Sequence, residues 1–282
     1  MINTQLYTLL SFLYLACTVL YLVYLVFRSE KIGRIATVTA SVACLGHIAT
    51  FIIRWVETYQ LEMGHVPIRG PYEVMTFSAG VIILFYIIIE RVFKTKTLGA
   101  FILPLVFLIM MYATMSTQVD EQIVPLPEVL RGNYISYHLP SCFIGYAGFL
   151  VSFVASILYL LKRGGASPNP QEDRSIIPSR DVLDNISYKM IAIGFVMFTI
   201  LIVTGMFRSR IIWGNYWEWD GVQTWSLIAW LVYAVILHGR FTWKWGGTIT
   251  ALLSIIGFAL AIIAFLTGAG FIFVSGHFPL TE

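Results

Sequence analysis

The run TITALLSIIGFALAIIAFLTGAGFIF, residues 248–273, decides the fold: it holds no Asp, Glu, Lys, Arg or His. The hydrocarbon core of a bilayer is about 30 Å thick and takes about 20 helical residues to cross. Backbone immersed in lipid must satisfy its own hydrogen bonds, so a run of this length and character is a membrane-spanning helix. Working outward, similar runs recur at 5–27, 35–56, 73–90, 98–115, 138–161, 189–207 and 223–239, the last of them short and able to begin inside the preceding loop. The spacing predicts an all-α polytopic membrane protein with about eight spans. Composition agrees: 58% of the 282 residues are hydrophobic and 12% are charged, about half the charge of a soluble domain. A mean hydropathy of +0.80 excludes a secreted, cytosolic or disordered chain. The net charge of +3 is too small for a nucleic-acid surface. The first run is too long for a cleavable signal peptide, and no small-residue cleavage site follows it.

Eight spans leave both termini on one side, and the Lys/Arg bias says which. One set of loops carries thirteen of the eighteen basic residues: Arg28, Lys31, Arg34, Arg91, Lys94, Lys96, Lys162, Arg163, Arg174, Arg180, Lys189, Arg240 and Lys244. The other carries five: Arg54, Arg69, Arg131, Arg208 and Arg210. The richer set is cytoplasmic, so both termini are expected outside, together with segments 57–72, 116–137 and 208–222 and the tail from 274. Of the inner loops only 162–188 is long, and its Lys162–Pro170 run reads as a flexible linker. No internal repeat or soluble domain is evident, and residues 1–282 are read as a single membrane domain. Cys17, Cys44 and Cys142 fall in or beside spans, form no C-x-x-C and are odd in number. They read as small buried hydrophobes, not as a thiol–disulfide centre or a zinc or iron–sulfur site.

Ionisable side chains within spans are costly and therefore mark candidate sites. The five histidines sort by depth. His138 begins the fifth span on the outer side, His277 follows the eighth, and His65 lies in the first outer loop. His238 ends the seventh span on the inner side beside Arg240. His47 lies about 13 residues, or roughly 20 Å, into the second span. His65 reads as a solvated interfacial side chain and His47 as a hydrogen-bonded packing residue. Two imidazoles share an iron only with their nitrogens about 4 Å apart, each near 2 Å from the metal by analogy with zinc. His138 and His277 meet that condition by depth; His238 pairs with neither, so an iron held by His238 needs a second ligand from another chain.

Segment 213–225, Trp-Gly-Asn-Tyr-Trp-Glu-Trp-Asp-Gly-Val-Gln-Thr-Trp, packs four of the chain's eight tryptophans onto the outer side. One reading is an aromatic belt at the headgroups. The other is a cradle for a flat apolar ring with charged edges, since a belt spreads its tryptophans over several span ends. Arg208 and Arg210 either flank the span as ordinary charge or pair with carboxylates, which a planar guanidinium suits. Glu73 has Arg69 as its neighbour in helical reach, a pair that supports the helix end.

Trp213-Gly214-Asn215-Tyr216-Trp217-Glu218-Trp219-Asp220, followed by Thr224-Trp225-Ser226 and Trp230, resembles the WWD signature of haem-handling proteins. The variant is similar to the CcsA/ResC branch, the cytochrome c synthase subunit of the System II pathway. The resemblance extends over Gly64-His65-Val66-Pro67, Tyr72-Glu73, Tyr137-His138, Gly145-Tyr146, Tyr233, His238-Gly239-Arg240 and His277. It implies an outer haem-binding loop at 208–225. There, haem b would have His138 and His277 as axial iron ligands, cradled by Trp213, Trp217, Trp219, Asp220 and Trp225. It implies that His238 holds haem within the membrane, its mate supplied by a CcsB/ResB-type subunit. The family usually continues Pro-Lys/Arg-Glu after Asp220, whereas here Gly221-Val222-Gln223 follow, which points to Arg208 or Arg210 for the propionates.

The implied activity is export of haem and its positioning for thioether attachment to a Cys-X-X-Cys-His apocytochrome, in a holocytochrome c synthase (a haem lyase). No residue of the chain serves as nucleophile, because the substrate's thiols do so; the chain supplies near-attack geometry. Implied partners are the CcsB/ResB-type subunit, apocytochrome c and the pathway's thiol-reducing proteins, in a bacterial plasma membrane or a thylakoid membrane. The alternative within haem chemistry is an exporter or chaperone that loads another carrier without ligation. A di-haem b-type cytochrome wants two histidines on one span, and no span here has them. A solute transporter wants charged or glycine-broken midplane helices, which do not stand out.

Overall fold

The computed structural model describes residues 2–68, 70–125, 135–162 and 176–268. Its elements are α1 (Ile2–Phe27), α2 (Glu30–Gln60), α3 (Pro71–Phe93), α4 (Gly99–Met115), α5 (Ile135–Leu161), α6 (Arg180–Trp213), α7 (Gly221–Thr242) and α8 (Gly247–Gly268), with no strand among the described residues. Seven are long and apolar enough to cross a membrane; α4, with 17 residues, runs about 25 Å. The expected all-helical membrane fold is therefore present, with several helices, α2, α3, α6 and α7 among them, longer than the apolar windows that announced them. Hydropathy marks the lipid-immersed stretch, while helical hydrogen bonding continues into the polar zone beyond it. Thus α6, expected at 189–207, has 34 residues and spans about 51 Å, and Lys189, counted in a loop, lies inside it. The seventh helix is not short: it has 22 residues, and the shortest is α4.

The chain divides into two compact units, one of residues 1–130 with 161–186 and one of residues 131–160 with 187–282. In the first, α1 packs on α2 and α4, and α3 on α4 and α2. Its interior mixes aliphatic residues such as Ile83, Ile102 and Val106 with buried polar groups, while its exterior is apolar. On α1, Tyr7, Tyr14 and Tyr21 recur every seven residues and are buried, while Leu9, Phe12, Val19 and Val26 face outward. Helix α2 offers a stripe of small buried residues, Gly33, Ala36, Ala40 and Ala43. Without a hydrophobic drive between helices in lipid, such stripes and interhelical hydrogen bonds hold helices together. His47 is buried as expected, with Nδ1 3.0 Å from the Tyr14 hydroxyl and Nε2 2.9 Å from the Thr76 carbonyl oxygen. Its ring occupies the space where a Cβ on Gly80 would stand, only 2.7 Å from His47 Cδ2.

Arg54, counted among the outer-loop charges, is instead an interior residue of α2, 1% exposed. Its Nη2 lies 2.9 Å from Glu73 Oε1, its Nε donates to the same oxygen at 3.1 Å, and Nη1 and Nη2 donate to Asn3 Oδ1 and the Glu121 carbonyl at 3.0 Å each. The Tyr72 ring lies 4.9 Å from the guanidinium carbon. Glu73 therefore has an interhelical partner in Arg54; Arg69, its expected neighbour, lies outside the described residues. Elsewhere in this unit the buried Glu90 carboxylate accepts from Tyr21 and Tyr86 at 2.5 Å each and from the Thr37 hydroxyl. His65 is buried, not solvated: its ring nitrogens lie 3.0 Å from the carbonyls of Val66 and Val124.

In the second unit α5 and α6 cross closely at glycines: a Cβ on Gly148 would stand 3.0 Å from the Met190 carbonyl and 3.3 Å from Gly194 Cα. Phe149, Phe198 and Tyr233 fill the core, with Phe149 and Tyr233 stacked at 3.7 Å and 6°. Ser152 lies 2.8 Å from both Ser187 and Ser254, tying α5, α6 and α8 with hydroxyl contacts, and α7 packs along α8.

Candidate functional site

The site is built where α6 ends and α7 begins, within the second unit. Helix α6 continues through Arg208 and Arg210 to Trp213, so these residues, expected in a loop, lie on the last turns of a helix. The connecting segment shrinks to 214–220. It turns through Gly214 at φ +83° and Trp219 at φ +54°; a left-handed backbone on a non-glycine residue costs on the order of 1–3 kcal/mol. Asp220 closes the segment as the N-cap of α7, its Oδ1 accepting from the Gln223 N–H at 2.7 Å. The Gln223 side chain accepts in turn from the Glu218 N–H at 2.9 Å. Gly221-Val222-Gln223, the departure from the family pattern, is thus the first turn of α7, and Gln223 completes the cap. Trp225 follows within α7.

The aromatic rings of the segment pack edge to face and remain open. Trp217 and Trp219 meet at 5.6 Å and 77°, and the Tyr216 ring lies 5.7 Å from the Arg210 guanidinium carbon. Trp219 is 70% exposed, and Trp213 and Tyr216 are exposed as well. At this end of α6 and in the segment after it, Arg208 Nε, Ser209 Oγ and Trp217 Nε1 are buried without a hydrogen-bond partner among the described residues. An unpaired buried donor costs about 1–3 kcal/mol.

His138, on α5, lies against α6. Its Nδ1 is 3.0 Å from Thr204 Oγ1, and its Cε1 would stand 3.5 Å from a Cβ on Gly205. Arg208, one turn beyond Thr204 on α6, is within electrostatic reach of the ring. The structure thus brings together His138, Thr204 and Arg208, with the Nδ1 edge of the imidazole held against Thr204. His277, its expected mate, lies outside the described residues. His238 stands apart from this group, near the other end of α7. It is exposed, as are Leu231 and Val235 on the same helix, with the Trp243 ring edge-on at 5.3 Å. Its Nε2 is 3.5 Å from the Thr242 hydroxyl. Sequence reading missed Thr204, whose one signal is its place four residues before Arg208. It also missed the Arg54–Glu73 pair, signalled by an Arg set between Ile53 and Trp55.

The fold and site define an integral membrane protein with two helical units, one of which carries an open, tryptophan-rich segment beside an imidazole and a guanidinium. A family described as cytochrome C assembly protein matches residues 69–270. Curated relatives include the cytochrome c biogenesis protein CcsA of Synechocystis sp., 30% identical over 310 aligned positions covering 91% of each chain, and that of Mesostigma viride, 28% identical with 76% of each covered. Among solved structures, the cytochrome c heme lyase CcmF superposes with a TM-score of 0.68 at 17% identity. That match covers 95% of this chain and 49% of the other, so the chain spans about half of that protein and shares its fold. The chain belongs to the cytochrome c assembly family, as a CcsA-type cytochrome c biogenesis protein.

Proposed function

We propose that within cytochrome c biogenesis the chain is the haem-holding subunit of a holocytochrome c synthase, with haem b as its substrate. Haem arrives from the basic, cytoplasmic side and is held at the tryptophan segment on the outer side, where both termini lie. The observation that carries this reading is the grouping of the His138 imidazole with the orphaned Arg208 Nε beside the tryptophan segment. Those groups suit the chemistry of the substrate: the imidazole for iron, the guanidinium for a propionate, and the rings of Trp213, Trp217, Trp219 and Trp225 for the porphyrin faces and edges. Arg210 is the second propionate candidate. Asp220 contributes by fixing the start of α7 and hence the height of Trp225. His277 supplies the second axial nitrogen. His238, facing out of its unit, takes its partner ligand from a CcsB/ResB-type subunit and holds haem on the way.

The chain's own work is positioning. Held by two imidazoles, the ring presents each vinyl group to a substrate thiol at near-attack distance, which removes orientational entropy from the barrier. Each S–H adds across a vinyl double bond: one S–C bond forms, the proton ends on the neighbouring vinyl carbon, and no oxidant is consumed. The apocytochrome's own histidine then replaces one axial ligand and releases the product.

The test is maturation of a co-expressed c-type cytochrome by this chain with its partner subunit, followed by haem staining after denaturing electrophoresis. Wild type yields covalent product and His138→Ala yields none. Haem-loaded protein with no covalent product from wild type assigns the exporter role instead, and full maturation by His138→Ala removes the site.

A further inference from the structure

We infer that Thr204 is a positioning residue that selects the tautomer of His138, fixing a proton on Nδ1 so that the Nε2 lone pair is the one presented to iron; this rests on the axial role proposed for His138. A hydroxyl has one proton to donate. The Thr204 hydroxyl sits inside α6 and lies 2.7 Å from the Ile200 carbonyl and 3.1 Å from the Leu201 carbonyl. Its proton is therefore committed to its own helix, the back-bond common for Thr in helix interiors. Toward His138 Nδ1, 3.0 Å away, the oxygen has only lone pairs left. The contact is then Nδ1–H donating to Thr204 Oγ1. With that oxygen accepting, the neutral imidazole carries its proton on Nδ1 and its lone pair on Nε2.

The fixed tautomer has two consequences. Free neutral imidazole divides between two forms, and only the form with Nε2 unprotonated ligates through Nε2, so pre-selection removes a cost of binding. A hydrogen bond from Nδ1–H to an oxygen also makes the ligating nitrogen a stronger donor and fixes the ring plane. The space at Gly205 completes the arrangement, since the ring lies along α6 with Cε1 at ordinary contact distance from the position of a Cβ there. No other side chain of α6 shares this role: Arg208, one turn on, faces the same ring as a charge and carries no acceptor.

The experiment compares wild type, Thr204→Val, Thr204→Ala, Thr204→Ser and His138→Ala, each purified with its partner subunit from haem-sufficient cells. The readouts are haem content, the midpoint potential of bound haem and the thermal midpoint of the protein. Thr204→Val keeps the thermal midpoint, loses about tenfold or more in haem affinity, as loss of an outer-shell partner does, and shifts the potential upward because the ligand donates less. Thr204→Ala behaves likewise, Thr204→Ser restores both values, and added imidazole restores haem content to Thr204→Val. Wild-type potential and haem content in Thr204→Val and Thr204→Ala, with haem lost in His138→Ala, overturn the inference and leave the axial role of His138 standing. Wild-type haem content and potential in His138→Ala overturn both. A potential that Thr204→Ser fails to restore also overturns the inference, because the hydroxyl is then not the agent.

Discussion

The two units treat their buried polar groups in opposite ways. In the first, every described buried charge or imidazole is answered from within: Arg54 by Glu73, Asn3 and the Glu121 carbonyl, Glu90 by three hydroxyls, His47 by Tyr14 and Thr76, His65 by two carbonyls. The donors left over there are neutral phenols, Tyr7 and Tyr72. In the second, a guanidinium nitrogen and an indole N–H, Arg208 Nε and Trp217 Nε1, are left open around the end of α6, besides the neutral hydroxyls of Ser209, Tyr233 and Thr250. A buried polar group that is satisfied holds helices together; one that is not stores a binding interaction for something else. The difference teaches where to look for a ligand: histidines are present in both units, and the unpaired polar atoms around one of them, not the histidines as such, mark the site.

Three substitutions probe that contrast, and the largest effect belongs to the closed unit. Arg54→Ala breaks the buried pair with Glu73, an expected loss of about 3–5 kcal/mol, measured as a fall in thermal midpoint in detergent; haem content per folded molecule stays at the wild-type value. A folded Arg54→Ala protein without haem breaks the contrast. Arg208→Ala goes the other way: the thermal midpoint holds, and haem affinity falls about tenfold to a hundredfold, as loss of a charged hydrogen bond of about 1.5–3 kcal/mol requires. Haem titration of the purified protein reads it. Trp217→Phe keeps a smaller aromatic ring and removes the orphaned donor, so haem affinity falls about threefold to tenfold.

Much of the fold was legible because an apolar run of membrane length has few other physical interpretations. What hydropathy missed are the helix ends and the polar interior. Helix α6 runs past its apolar window at both ends, carrying Arg208, Arg210 and Trp213 out of the expected loop. Arg54 looked like a loop charge because a charge at the edge of an apolar run is usually solvated; only the tertiary arrangement with Glu73 and Asn3 makes its burial affordable. For the candidate site, the tryptophan cluster and the place of His138 at a span end follow from residue type and spacing, while their haem roles come from the resemblance. Thr204 was not legible, because a threonine in a span carries no mark until the ring it faces is in place. The N-cap role of Asp220 is one its position just before α7 allows.

The central claim is that a porphyrin sits at the tryptophan segment of the second unit with its iron on His138. The most direct measurement is the absorption spectrum of the reduced protein, purified with its partner subunit, in wild type and His138→Ala with and without added imidazole. The account predicts low-spin bands of bis-imidazole ferrous haem in wild type, their loss in His138→Ala and their return when imidazole fills the open coordination position. Unchanged bands in His138→Ala contradict it.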